Sequence, residues 1–322
     1  MPTAEQIKAL IRSHFSDDEE RFFTIALQLA AHEAVQGHTS LAQDIRELLD
    51  KARKRKGAVV LQFPPDLRGL VISEEPGLSK VALVIPGSLE KRIQRIVHEF
   101  RQAQKLKSFG LSHRRKIMLI GPPGTGKTMT ARILAHELRL PLNTIQVDRL
   151  VTKFMGETGA KLRQIFDLIQ QEPGVYLFDE FDAIGGERSL ENDVGEIRRV
   201  LNAFLQFIEQ DSSDNLIIAA TNSPKLLDRA LFRRFDDILY YKMPEEKERK
   251  QLIQNILGAF LPSKFIWKNV LTESDGLSHS EIDQACRDAI KGTILDDRQA
   301  VHETLLMQMI KDRQSAHVVR KG

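Results

Sequence analysis

Gly121-Pro122-Pro123-Gly124-Thr125-Gly126-Lys127-Thr128 is the stretch whose reading decides the fold. It has the pattern G-x-x-x-x-G-K-[ST], set between an apolar run at 117–120 and an amphipathic run at 129–138. A strand, a glycine-rich turn and a helix in that order let backbone N–H groups curl inward on phosphate oxygens. The helix N-terminus adds partial positive charge. The expected nucleotide-binding residues are therefore Gly121, Pro122, Pro123, Gly124, Thr125, Gly126, Lys127, Thr128 and Met129. Lys127 is expected to reach the β- and γ-phosphates and the Thr128 hydroxyl to ligate a metal, so the expected ligands are ATP and Mg²⁺.

Downstream, Val175-Tyr176-Leu177-Phe178-Asp179-Glu180 is an apolar run ending in two carboxylates. Asp179 at the strand tip suits a metal-holding role, and Glu180 suits a general base that takes the proton of an attacking water. A third run, 216–220, leads through Thr221 to Asn222, whose amide could orient that water or contact the γ-phosphate; read alone, Asn222 before Ser223-Pro224 is better taken as a turn residue. Strand-like runs at 117–120, 144–147, 175–178, 216–220 and 238–241 alternate with longer amphipathic segments. Near-continuous apolar strands of this kind indicate a parallel sheet covered on both faces. The fold expected is α/β: a five-stranded parallel sheet with flanking helices around a phosphate loop.

After Pro244 the pattern becomes helical only, at 245–260, 278–291 and 299–311, which suggests a C-terminal helical lid domain over 244–322. The lid helix near 278 opens on Ser278 with Glu281 three residues on, a capping box; the adjoining His279 reads as an exposed surface residue, with an approach to the adenine or ribose as the alternative, and Cys286 as core. Residues 1–56 read as a small N-terminal helical module for docking a substrate or partner, too small to form a good core alone. Residues 57–84 read as a linker with strand-like runs at 58–63 and 81–85, leaving 85–243 as the ATPase domain. With 47 basic against 44 acidic residues the net charge is +3, which does not favour nucleic acid as a partner. A single cysteine excludes an intramolecular disulfide. No apolar run approaches the length of a membrane span and the first residues lack a signal-peptide pattern, so a cytoplasmic location is expected.

The order of phosphate loop, Asp179-Glu180, Asn222 and then Leu227-Asp228-Arg229-Ala230-Leu231-Phe232-Arg233-Arg234-Phe235-Asp236 resembles the AAA family of ATPases over residues 85–292. The resemblance implies an ATPase working as a homo-oligomeric ring, expected to be a hexamer, with an arginine finger reaching the neighbouring subunit's γ-phosphate. Arg233 and Arg234 match that position; the Pro-Gly pair common between the family's two arginines is absent here. Arg234 is favoured because it directly precedes Phe235-Asp236.

Lys153-Phe154-Met155-Gly156 is similar to the aromatic–hydrophobic–glycine loop lining the pore of family unfoldases. An aromatic side chain can grip an extended chain whatever its sequence. The implied function is an ATP-driven protein remodeller that threads or pulls a polypeptide, with a separate protease or adaptor as a candidate partner. A nucleic-acid-handling ATPase such as a helicase loader is the alternative, and it has no need for Phe154-Met155-Gly156.

Overall fold

The five anticipated apolar runs become the parallel strands of one sheet. The computed structural model describes residues 13, 19–35, 42–46, 49, 67–75, 83–153, 157–183, 193–223 and 229–318. The strands are β1 (Val71–Glu74), β2 (Lys116–Ile120), β3 (Leu142–Gln146), β4 (Val175–Asp179), β5 (Leu216–Thr221) and β6 (Asp237–Tyr240), in the spatial order β1-β3-β4-β5-β2-β6. β2 to β6 are mutually parallel, and β1 adds an antiparallel edge by pairing Val71 with Ile145 and Glu74 with Leu142.

The helices are α1 (Glu19–Val35), α2 (Gly87–Arg101), α3 (Ala103–Ser108), α4 (Lys127–Leu138), α5 (Val147–Lys153), α6 (Thr158–Gln171), α7 (Asp193–Gln210), α8 (Arg229–Phe232), α9 (Glu246–Leu257), α10 (Trp267–Glu273), α11 (His279–Leu295) and α12 (Glu303–Val318). The two-residue period of a strand explains why both faces of the sheet are covered. In β2, Met118 and Ile120 face a core shared with α6 and α7, whereas Ile117 and Leu119 face a second core shared with α2 and α4. Phe204 of α7 is the hub of the first core, with ring centroids 5.1 Å from Phe178, 4.6 Å from Phe181 and 5.7 Å from Phe166.

Helices α9 to α12 pack around a third core containing Ile253, Val270, Ile282, Cys286, Val301 and Leu306. Cys286 is fully buried there, as expected, and burial pushes its thiol up to about 12. Helix α10 has no counterpart in the sequence reading, which left 261–277 without an element.

The linker departs from expectation. Residues 83–85, read as part of a strand, have no ladder partner; Leu83 and Ile85 pack on the α2/α4 core while Val84 packs on the α9–α12 core. Alternation there reflects a segment lying between two cores. The strand that does form is β1, and the run at 58–63 lies outside the described residues. No helix among the described residues is long and apolar enough to cross a membrane.

Candidate active site

Parallel pairing brings the motifs to one edge of the sheet. Ile120, directly before the phosphate loop, is in register with Thr221 on one side and Tyr240 on the other, and Gln146 is in register with Asp179. The carboxyl ends of β2, β4 and β5 thus converge, which is where open α/β sheets bind ligands.

The loop itself is built around glycines at enforced positions. A side chain at Gly121 would come within 2.5 Å of the Tyr241 carbonyl oxygen. Gly124 has φ +72°, and a Cβ there would sit 2.6 Å from the Ser278 hydroxyl. The loop carbonyl of Gly124 accepts from the Ser280 N–H of α11, so that helix begins in contact with the loop. The expected capping box closes that helix end: the Ser278 N–H donates to the Glu281 carboxylate at 2.8 Å.

Lys127 is buried. Its ammonium donates to the carbonyls of Gly121 and Pro122 and to Oδ1 of Asn222, at 2.7, 2.8 and 2.7 Å. Burial lowers its pKa, and the charges of Asp179 and Asp182 oppose that shift. The Thr128 hydroxyl donates to the Asp179 carboxylate at 2.9 Å. Two hard oxygen donors side by side, next to the glycine-rich loop, form a donor set suited to Mg²⁺.

Glu180 adopts φ +50°, rare for a non-glycine residue, in an exposed turn directly after β4. Its N–H donates to Asp179 Oδ1 at 3.0 Å, and its carbonyl accepts from the Ala183 N–H at 2.8 Å. The two carboxylates differ in setting: Asp179 accepts from the Thr128 hydroxyl, whereas Glu180 is exposed. The backbone N–H of Asn222 donates to Asp182 Oδ1 at 3.2 Å, tying the tips of β4 and β5 together. Asp182 drew no attention as a site residue in the sequence, although it stands three residues after Asp179.

The structure brings together residues 121–129, Asp179, Glu180 and Asn222. Arg233 and Arg234 fall elsewhere, just before β6 begins, at the opposite end of the strands. Arg233 is exposed, and the Arg234 guanidinium pairs with Glu209 of α7 at 2.5 Å. Lys153 ends α5, and Phe154, Met155 and Gly156 lie outside the described residues. His279, read as exposed, is instead half-buried at the start of α11; burial lowers its pKa, and a backbone hydrogen bond with Val84 opposes that shift.

The model of the ATPase family associated with various cellular activities (AAA) matches residues 117–243. An uncharacterized AAA family ATPase of Sinorhizobium fredii is 33% identical over 97% of this chain and 96% of its own length. A proteasome-activating nucleotidase of Thermococcus onnurineus is 31% identical over 80% of this chain and 68% of its own length. Among solved structures, the FIGL-1 AAA domain shares the fold with a TM-score of 0.63 at 23% identity, covering 81% of this chain and 95% of that one.

Proposed function

The chain belongs to the AAA family of ATPases, and from that premise we propose that it is a ring-forming, Mg²⁺-dependent protein remodeller that hydrolyses ATP to pull on a polypeptide. The observation that carries the hydrolytic part is the meeting of Lys127, Thr128, Asp179 and Asn222 within hydrogen-bond distances. Lys127 exchanges its carbonyl and amide partners for the β- and γ-phosphates of ATP. Thr128 and Asp179 would hold Mg²⁺, which would neutralise phosphate charge. Glu180, exposed directly after Asp179, takes the proton of the attacking water, and Asn222 orients that water or the γ-phosphate.

Arg234 or Arg233 reaches the neighbouring subunit's γ-phosphate and stabilises the charge that develops there. Their distance from the chain's own phosphate loop supports action between subunits. The separate core of α9–α12 supports 244–322 as a lid that leans on the loop through Ser278 and Ser280.

The polypeptide reading rests on Lys153-Phe154-Met155-Gly156 and on kinship with a nucleotidase named for activating a proteasome. The experiment is to compare Phe154→Ala and Phe154→Tyr with wild type, measuring ATPase rate with and without an unfolded protein, and with and without single-stranded nucleic acid. Phe154→Ala should lose stimulation by the unfolded protein and Phe154→Tyr should keep it. Stimulation by nucleic acid alone would overturn the remodeller reading in favour of the loader.

A further inference from the structure

The phosphate loop is clamped at both ends by one residue that lies outside the motif. Tyr241 directly follows β6 and is 4% exposed. Its N–H donates to the carbonyl of Ile120, the last residue before the loop, at 2.7 Å. Its own carbonyl lies against the face of Gly121, where a Cβ would come within 2.5 Å. At the far end of the loop its phenol donates to the Thr130 hydroxyl at 2.7 Å, and that hydroxyl donates to the Gly126 carbonyl at 3.0 Å. Gly126 has φ +99° and immediately precedes Lys127, so the direction of its carbonyl decides which way the adjoining peptide N–H points.

We infer that Tyr241 is a positioning residue for the phosphate loop: through Thr130, whose N–H also donates to the Gly126 carbonyl at 2.9 Å, it braces that carbonyl at the start of α4, and through its backbone it holds Gly121. The inference rests on residues 121–128 being the phosphate site. Peptides already oriented toward an anion bind it without reorganising, so losing the phenol costs affinity for the phosphates while the chemistry of Asp179 and Glu180 is untouched. Burial pushes the phenol pKa up, so Tyr241 remains a donor across the working pH range.

The test uses the full chain with Tyr241→Phe, Thr130→Val, Thr130→Ser and the double variant Tyr241→Phe/Thr130→Val. Three quantities are read: ADP affinity by titration, KM and kcat for ATP, and the thermal midpoint without nucleotide. Tyr241→Phe and Thr130→Val should each weaken ADP binding and raise KM by about 2- to 10-fold, the worth of one neutral hydrogen bond, with kcat moving less than KM. Thr130→Ser, which keeps the hydroxyl, should retain wild-type affinity. The double variant should be no weaker than Thr130→Val, because both changes cut one chain of bonds.

Unchanged ADP affinity in Tyr241→Phe, or a lowered thermal midpoint with KM unmoved, would reduce Tyr241 to a packing residue and overturn the inference. Equal weakening by Thr130→Ser and Thr130→Val would do the same. If Tyr241→Phe does not fold, the Thr130 pair decides. Lys127→Ala runs alongside: normal ADP binding there sinks the phosphate-site reading itself, whereas loss there with normal Tyr241→Phe sinks only the inference.

Discussion

The ammonium of Lys127 and the amide oxygen of Asn222 lie 2.7 Å apart, linking the phosphate loop to the tip of β5. A bound γ-phosphate would compete with that amide for Lys127, so the two roles separate on mutation. Lys127→Ala should weaken ATP binding by about tenfold to a hundredfold, the range for a hydrogen bond to a charged group. Asn222→Ala and Glu180→Gln should instead bind ATP about as well as wild type and hydrolyse it poorly, by roughly a hundredfold or more for Glu180→Gln. Nucleotide titration paired with phosphate release checks all three, and tight binding by Lys127→Ala would refute its assignment.

Arg234 pairs with Glu209 in this structure, and in the proposed ring it would give up that contact to act on the neighbouring subunit. Arg234→Ala should bind ATP and lose hydrolysis by on the order of a hundredfold or more. Adding Lys127→Ala subunits, which bring intact arginines, should restore part of the activity. Arg233→Ala is the necessary comparison, because Arg233 stands exposed beside it. A mixture no more active than its parts, together with a monomer in sedimentation with ATP, would rule out the ring.

His113 gives stability an acid limit. Its ring is buried, packs edge-on to Phe100 at 5.2 Å and has its pKa lowered from 6.5, chiefly by burial; Asp214 acts against the shift and Arg115 and Lys107 with it. Well above pH 6.5 the ring is neutral both folded and unfolded and contributes no pH dependence. As pH falls below 6.5 the unfolded chain takes up a proton that the folded chain refuses, so stability is lost, by up to about 1.4 kcal/mol per pH unit for one such group. His279 acts in the same direction. Denaturant unfolding from pH 7.5 to 5 should therefore show a shallower acid slope for His113→Leu than for wild type; an identical slope would contradict the account.

Phe204 should be the costliest single truncation in the sheet core. It joins α7 to Phe178 of β4 and to Phe181 just beyond, and α6 to both through Phe166. Phe204→Ala should destabilise by about 3–5 kcal/mol in chemical denaturation. A loss under about 1 kcal/mol would mean that the surrounding rings collapse into the space.

What the sequence by itself determined was the chemistry and the class of fold. The spacing of Gly121, Gly124, Gly126, Lys127 and Thr128 between a strand and a helix carries its own geometry, because only glycine tolerates the backbone there and the helix start follows directly. The five parallel strands were legible for the same reason: a strand covered on both faces must be apolar throughout, and that pattern is local. Tertiary structure alone decided what depends on residues far apart in sequence. The edge strand β1 has four residues and acquires meaning only by pairing with β3, some 70 residues away. The alternation at 83–85 looked like a strand because Leu83 and Ile85 serve one core and Val84 another, a distinction no local pattern carries. Asp182 beneath Asn222, Glu209 beside Arg234, and Tyr241 against both ends of the phosphate loop belong to the same class. Each is a polar contact between segments whose proximity is set by sheet order, and sheet order follows from how whole faces are buried rather than from any one stretch of residues.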